Sequence, residues 1–305
     1  MSAVLTALAP IFILIFLGYG LRHRRLLPEE FWLPCERLNY FCLFPSLMFA
    51  QIATADLADL PLRAIAATVL GAAAAGGALI FAGRLLRPQA GPTFSSVLQG
   101  AVRPNTYVGV AAATAVFGRP GLMATSIAIA IAIPLFNILS ILILAFYGEQ
   151  KSADPRRLAR AIAGNPVVVS VLAGALANLS GLPLPAVALE TLHVLGSASL
   201  PLGLLSVGAG LDLAAARVSL GPVLQSAAVK LVALPFFAYW IGSGLGLDRV
   251  TLSGMVLFSA LPCTPSAYIM ARLLGGDHRV AAGIISVQTL VAGVTMPMAL
   301  ALSGG

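Results

Sequence analysis

The sequence predicts an all-α integral membrane protein: ten transmembrane helices as a 5+5 inverted repeat, with helices 4 and 9 broken. Three observations lead there. The 305 residues are 59% hydrophobic and 10% charged, where a soluble domain carries about 25% charge, and the mean hydropathy is +0.96. The apolar residues fall into runs of about 20 or more, the length that crosses a bilayer as a helix. Two stretches inside such runs, Arg103-Pro104-Asn105-Thr106 and Leu261-Pro262-Cys263-Thr264-Pro265, cannot be regular helix. Proline has no N–H and clashes with the preceding turn. In lipid, freed backbone groups are tolerated only where protein satisfies them or they line a wet cavity. Interrupted helices at corresponding places in two halves mark the binding site of a transporter architecture.

In chain order the spans are expected near 3–21, 31–53, 63–86, 93–118, 121–147, 165–181, 185–211, 219–246, 250–274 and 279–302. The first has no basic segment before it and its cations follow it, so it reads as a retained helix and not as a cleaved leader. Placement of Lys and Arg orients the rest, because short cytoplasmic loops are enriched in them. With the N-terminus outside, the inner loops hold Arg22, Arg24, Arg25, Arg84, Arg87, Lys151, Arg156, Arg157, Arg160, Arg217, Arg272 and Arg279, twelve of the 18 cations. The outer loops hold Arg63, Arg119 and Arg249 beside Asp56, Asp59 and Asp248, while Arg37, Arg103 and Lys230 fall within spans. The expected location is therefore a cell (inner) membrane, multi-pass, with both termini outside. One longer polar stretch, opening Gly148-Glu149-Gln150-Lys151, interrupts the spans. It divides the chain into a first five-helix repeat at 1–147, a cytoplasmic linker at 148–164 and a second, inverted repeat at 165–305.

Landmarks recur between the halves. Pro10, Pro45 and Asp56 lie 156 residues before Pro166, Pro201 and Asp212; Pro104, Thr106 and Gly118 lie 158 residues before Pro262, Thr264 and Gly276. Conserved order with a drift of two residues is the mark of an internal repeat. Five spans is an odd number, so the second copy enters the membrane upside down.

Each break frees N–H groups at the start of a half-helix, where aligned peptide dipoles leave about half a positive charge. A carboxylate is a natural ligand there. The substrate-binding set expected for a small organic anion is Arg103, Pro104, Asn105 and Thr106 from the first break, with Pro262, Cys263, Thr264, Pro265 and Ser266 from the second. Lys230 and Arg37 stand behind them. Each group has a plainer reading as well. Asn105 suits an N-cap, and Arg103 suits bonding to the carbonyls of a broken helix. Lys230 suits bridging between helices, Glu36 and Arg37 suit a local interfacial ion pair, and Cys263 suits a tight crossing. The run from Gly71 to Ala78 reads as close helix packing.

These residues resemble the auxin efflux carrier family, which includes the plant PIN carriers and many bacterial permeases. Pro104-Asn105-Thr106-Tyr107-Val108-Gly109, followed by Phe117-Gly118, is similar to its fourth-helix motif, and Arg103 fits the bacterial branch. Asn165-Pro166, Pro201 to Gly208, Lys230 to Pro235, Ala260-Leu261-Pro262 running on to Ala271, Gly276-Asp277, Thr289, Pro297, and Arg37 with Pro45 are also similar to the family pattern. Thr264-Pro265 departs from it, since the family more often has small residues and a single proline there. The resemblance implies crossing helices near the bilayer midplane. It also implies a bundle (spans 3–5 and 8–10) sliding against a scaffold (spans 1, 2, 6 and 7). The activity implied is an efflux carrier or permease for small organic anions, malate, another dicarboxylate or an aromatic acid among them, by elevator-type alternating access. Family members further suggest a homodimer.

Other classes fit less well. A membrane-embedded enzyme needs paired intramembrane Asp residues, a Ser/His pair or an HExxH helix, and the sequence has none of these. Cys35, Cys42 and Cys263 show no metal-ligand spacing, and His23, His193 and His278 are scattered, so neither metal nor cofactor is expected. The net charge of +7 lies in short loops, the pattern of a lipid bilayer partner and not of nucleic acid. The alternatives on this fold are a sodium-coupled organic anion symporter of the bile acid symporter type, a channel, or a sensor.

Overall fold

The computed structural model describes residues 2–55, 61–149, 164–181 and 183–303. Most of the expected linker, at 150–163, and residues 56–60 of the outer loop after the second span lie outside the described residues.

The described elements are helical throughout. The first part of the chain forms α1 (Ser2–His23), α2 (Glu29–Leu38), α3 (Phe44–Ala53), α4 (Leu62–Leu86), α5 (Gly91–Val102) and α6 (Thr106–Tyr147). The second forms α7 (Pro166–Ser180), α8 (Ala186–Ala209), the short α9 (Ala215–Val218), α10 (Leu220–Ala228), α11 (Leu234–Gly244), α12 (Arg249–Ser259), α13 (Ser266–Leu274) and α14 (His278–Leu302). Two π-helical turns, Asn39–Leu43 and Val229–Ala233, join α2 to α3 and α10 to α11. Six stretches are long and apolar enough to cross a membrane: Ala3–His23, Leu62–Leu86, Thr106–Tyr147, Ala186–Ala209, Leu220–Gly244 and His278–Leu302. By length and composition the ten expected spans are therefore not returned. The π turn Asn39–Leu43 and the break at Pro262 divide the spans expected at 31–53 and 250–274 into shorter helices, and the one expected at 165–181 is the 15-residue Pro166–Ser180. Spans expected at 93–118 and 121–147 run together in the 42 residues of α6, which bends at Gly118 (φ 61°, ψ −147°). Those angles are open to glycine alone.

Helix starts follow the side-chain chemistry of N-caps. Asn165 Oδ1 accepts from the N–H groups of Val167 and Val168 at 3.0 and 3.3 Å, with Pro166 at the first helical position. Asp248 caps α12 and Asp277 caps α14 in the same way. Each cap satisfies donors that a helix cannot satisfy internally.

In lipid, apolar surface gains little from helix association, so close packing and polar contacts between helices must hold the bundle. Both are visible. A Cβ at Gly18 would lie 2.0 Å from Leu205 O, and one at Gly208 would lie 1.8 Å from Ile15 O, so α1 and α8 approach at backbone contact distance. Asn39 Nδ2 donates to Ser199 O at 3.0 Å, and Ser199 Oγ returns a bond to Asn39 Oδ1 at 2.6 Å, both buried. Asn178 Nδ2 donates to three carbonyls at the end of α3 and just beyond it, those of Ile52, Ala53 and Ala55. These contacts assemble α1, α2, α3, α7 and α8 into one group. The remaining helices pack around α5, α6, α12 and α14, with α4 against α11.

Candidate functional site

The two breaks meet. After α5, Arg103 and Asn105 are extended (ψ 117° and 104°) before α6 begins at Thr106. After α12, the chain runs from Ala260 to Pro265 before α13 begins at Ser266. Pro104 and Cys263 form an antiparallel bridge, and the N–H of Asn105 donates to Pro262 O at 2.8 Å. Backbone groups freed by proline in one helix are thus partly satisfied by the other, as lipid burial requires.

A buried amide ties this crossing together. Gln288 of α14 accepts the Cys263 N–H on Oε1 at 2.8 Å. Its Nε2 donates to Gly100 O at 3.1 Å and to Ser226 Oγ at 3.2 Å. Ser226 in turn donates to Val97 O at 3.1 Å. Gly100 O, one of the last carbonyls of α5 and otherwise without a helical partner, is held through this network.

A cavity of about 590 Å³ borders the crossing. Arg103 reaches across it from the end of α5: Nη2 donates to Ser266 Oγ at 2.8 Å and Nη1 contacts Met270 Sδ. Thr264 Oγ1 and Ser266 Oγ are 3.2 Å apart. Glu36, Arg37, Tyr40 and Phe44 line the cavity from α2, the π turn and α3, Phe136 and Asn137 from α6, and Asn165 from the cap of α7. Phe44 and Tyr107 meet edge-to-face at 5.0 Å. The charged side chains of the lining are Arg37, Arg103 and Glu36, a formal excess of one positive charge. The lining thus combines aromatic walls, hydroxyls and a surplus cation, the few placed polar groups in a mostly apolar pocket that small-molecule sites share.

Residues 3–300 match the family described as membrane transport protein. The chain belongs to that family. It is also 25% identical over 291 residues to an uncharacterized transporter of Methanothermobacter thermautotrophicus, the alignment covering 94% of each chain. The resemblance to the auxin efflux carriers, which rested on the motifs at the two breaks, therefore holds across nearly the whole chain. This transporter is a multi-pass membrane protein whose environment is the lipid bilayer and whose cargo is a small molecule.

Within the transporter, the expected site residues divide into two layers. Arg103, Pro104, Thr106, Thr264, Pro265, Ser266 and Arg37 line the cavity. Asn105, Pro262 and Cys263 are buried within the crossing itself. Lys230 is 1% exposed and is not part of the lining. Asn105 Oδ1 accepts from Val108 N at 3.3 Å as an N-cap, while its Nδ2 is buried without a partner. The bonds of Arg103 go to side chains of α13 and not to the carbonyls of the broken helix. An ion pair between Glu36 and Arg37 is not formed. Among the described residues, the pair found is Arg22 with Glu29, where Arg22 also donates to Ala209 O at 2.7 Å. Successive helical residues point 100° apart, so Arg37 turns away from Glu36 although both reach the cavity.

Tyr40, Tyr107, Asn137 and Met270 escaped the sequence reading as lining residues. A signal existed, for Glu36, Tyr40 and Phe44, like Ile133, Asn137 and Ile141, recur at every fourth position and share a helix face. Which face meets which neighbour depends on partners remote in sequence.

Proposed function

We propose that this transporter is a secondary carrier, an efflux carrier or permease, for small organic anions such as carboxylates, working by elevator-type alternating access. The observation that carries the reading is Arg103 at the meeting of two broken helices, held by Ser266 from the opposite break at 2.8 Å and bordering the cavity. A cation and two half-helix N-termini converge there on a space of ligand size, an arrangement that favours a carboxylate.

The ten-span inverted architecture is supported by reciprocal packing. The contact of α1 with α8 has its counterpart in α7 with α3; α5 with α10 has α12 with α4; α5 with α14 has α12 with α6. In this reading the bundle is α4–α6 and α10–α14, the scaffold is α1–α3, α7 and α8, and the cavity lies between them. On the loop-charge orientation, with both termini outside an inner membrane, the cavity is nearer the ends of α2 and α13 that face the cytoplasm. The structure is then an inward-facing state.

The test is a thermal-shift screen of the purified protein over organic anions, malate and benzoate included, with and without sodium, because a bound ligand raises the melting temperature. Hits are then followed into liposomes. A carrier gives saturable uptake with counterflow. Non-saturable flux would make the protein a channel, binding without flux a sensor, and a strict sodium requirement for binding would select the sodium-coupled symporter.

A further inference from the structure

Outside the cavity lining, the interior holds a second cation. Lys230 is 1% exposed, lies in the π-helical turn Val229–Ala233, and that turn packs against α4, α5 and α14. Among the described residues no carboxylate pairs with it, the ion pair present being Arg22 with Glu29. A buried ammonium without a counter-ion is strongly disfavoured, and lysine readily exchanges its proton in such places. A π-helical turn is itself rare and frequent at functional sites.

A hydrogen-bond network leads from Ser226, one turn before Lys230, to the anion site. Ser226, four residues earlier, accepts from Gln288 Nε2 at 3.2 Å, and Gln288 Oε1 accepts from Cys263 N–H at 2.8 Å. Cys263 is bridged to Pro104, next to Arg103. Unfilled hydrogen-bonding capacity gathers along this network. Both polar atoms of Gln99, Thr289 Oγ1 and Asn105 Nδ2 are buried without partners, and Gln99 and Thr289 adjoin Gly100 and Gln288. Groups of this kind suit water that carries protons to a sealed base.

We propose that Lys230 is a proton-binding site whose occupancy is linked, through Cys263 and Gln288, to the anion site at Arg103. The step is addition of a proton from water to the Nζ lone pair and its later release, with no other bond changed. A bound carboxylate neutralises Arg103 and so favours the charged form of Lys230. By reciprocal linkage, a protonated Lys230 favours anion binding, and the carrier moves anion and proton together. The proposal rests on the anion-carrier reading, but its test needs no organic anion.

The chain contains two lysines, Lys151 and Lys230, so Lys151→Arg leaves one. The full-length variant, labelled with nitrogen-15 at lysine Nζ and held in nanodiscs, is titrated by NMR between about pH 5 and 8. The expected result is a single one-proton transition at Nζ. In Arg103→Gln, which mimics a neutralised Arg103, the lysine stays charged to a higher pH than in the parent. A Lys230 signal that does not change over this range overturns the site, and a transition unmoved by Arg103→Gln overturns the linkage. The parent titration decides the site even where Arg103→Gln fails to insert. A failed anion screen beside a clear Lys230 transition would count against the carrier reading and leave the proton site standing.

Discussion

The N–H of Asn105 donates to Pro262 O at 2.8 Å, and this bond joins the two breaks of helices that lie 157 positions apart at these residues. It sets the side chains on either side of it to different tasks. Arg103 turns into the cavity toward Ser266, while Asn105 turns into the protein, caps α6 and leaves its Nδ2 unpaired. The site is therefore built from a lining and, directly behind it, a layer of polar atoms with spare capacity.

Asn105→Ala removes the cap and the spare donor but keeps the proline break. Loss of the cap costs about 1 kcal/mol, or about 2–4 °C in melting temperature. If the amide also serves the anion, loss of a bond to a charged ligand costs about 1.5–3 kcal/mol, roughly 10- to 150-fold in affinity. We expect normal insertion, a melting temperature lower by a few degrees, and binding at least about tenfold weaker. Thr264→Ala is expected to weaken binding less. Anion titration with parallel melting checks this, and unchanged affinity in Asn105→Ala would make the residue architectural.

Gly118 should resist substitution. At φ 61° and ψ −147° a side chain is strained, at about 1–3 kcal/mol, although open space surrounds the position. Gly118→Ala is expected to lower the melting temperature by roughly 2–10 °C. Gly20→Ala, in α1 with open space and no unusual φ, is expected to match or exceed the parent. Equal effects at both positions would mean that the bend in α6 is not held by this residue.

Motion between the two helix groups can be tested at a contact on the expected outer side. Arg119 Nη2 donates to Thr54 O at 3.2 Å, placing the bend of α6 beside the end of α3. A short bis-maleimide linking Thr54→Cys to Arg119→Cys is expected to stop liposome transport while anion binding survives in one state. Full turnover with the crosslink verified by mass would rule out sliding across this boundary.

The loop charges predict sidedness. Ala90 precedes α5 on the expected inner side, and Ser243 ends α11 on the expected outer side; both are exposed. In a background with Cys35, Cys42 and Cys263 replaced, Ala90→Cys and Ser243→Cys should react with an impermeant maleimide from opposite faces. Labelling from a single face would contradict the inverted arrangement.

The sequence by itself determined the membrane class, the positions of the breaks and the family, because these depend on short-range chemistry. An apolar run must leave water whatever its neighbours, and Pro104 and Pro262 interrupt a helix wherever it packs. Arg103 likewise stood out as a charge within an apolar span. The tertiary structure alone decided that Pro104 meets Cys263 and that Gln288 fastens the second break to α5. It alone brought Tyr40, Tyr107, Asn137 and Asn165 to one cavity, and paired Arg22, not Arg37, with a carboxylate. Lateral helix packing in lipid gains little from burying apolar surface, so it turns on close fit and a few polar bonds. Those bonds join residues such as Asn39 and Ser199, 160 positions apart, and no local pattern in either segment names the other.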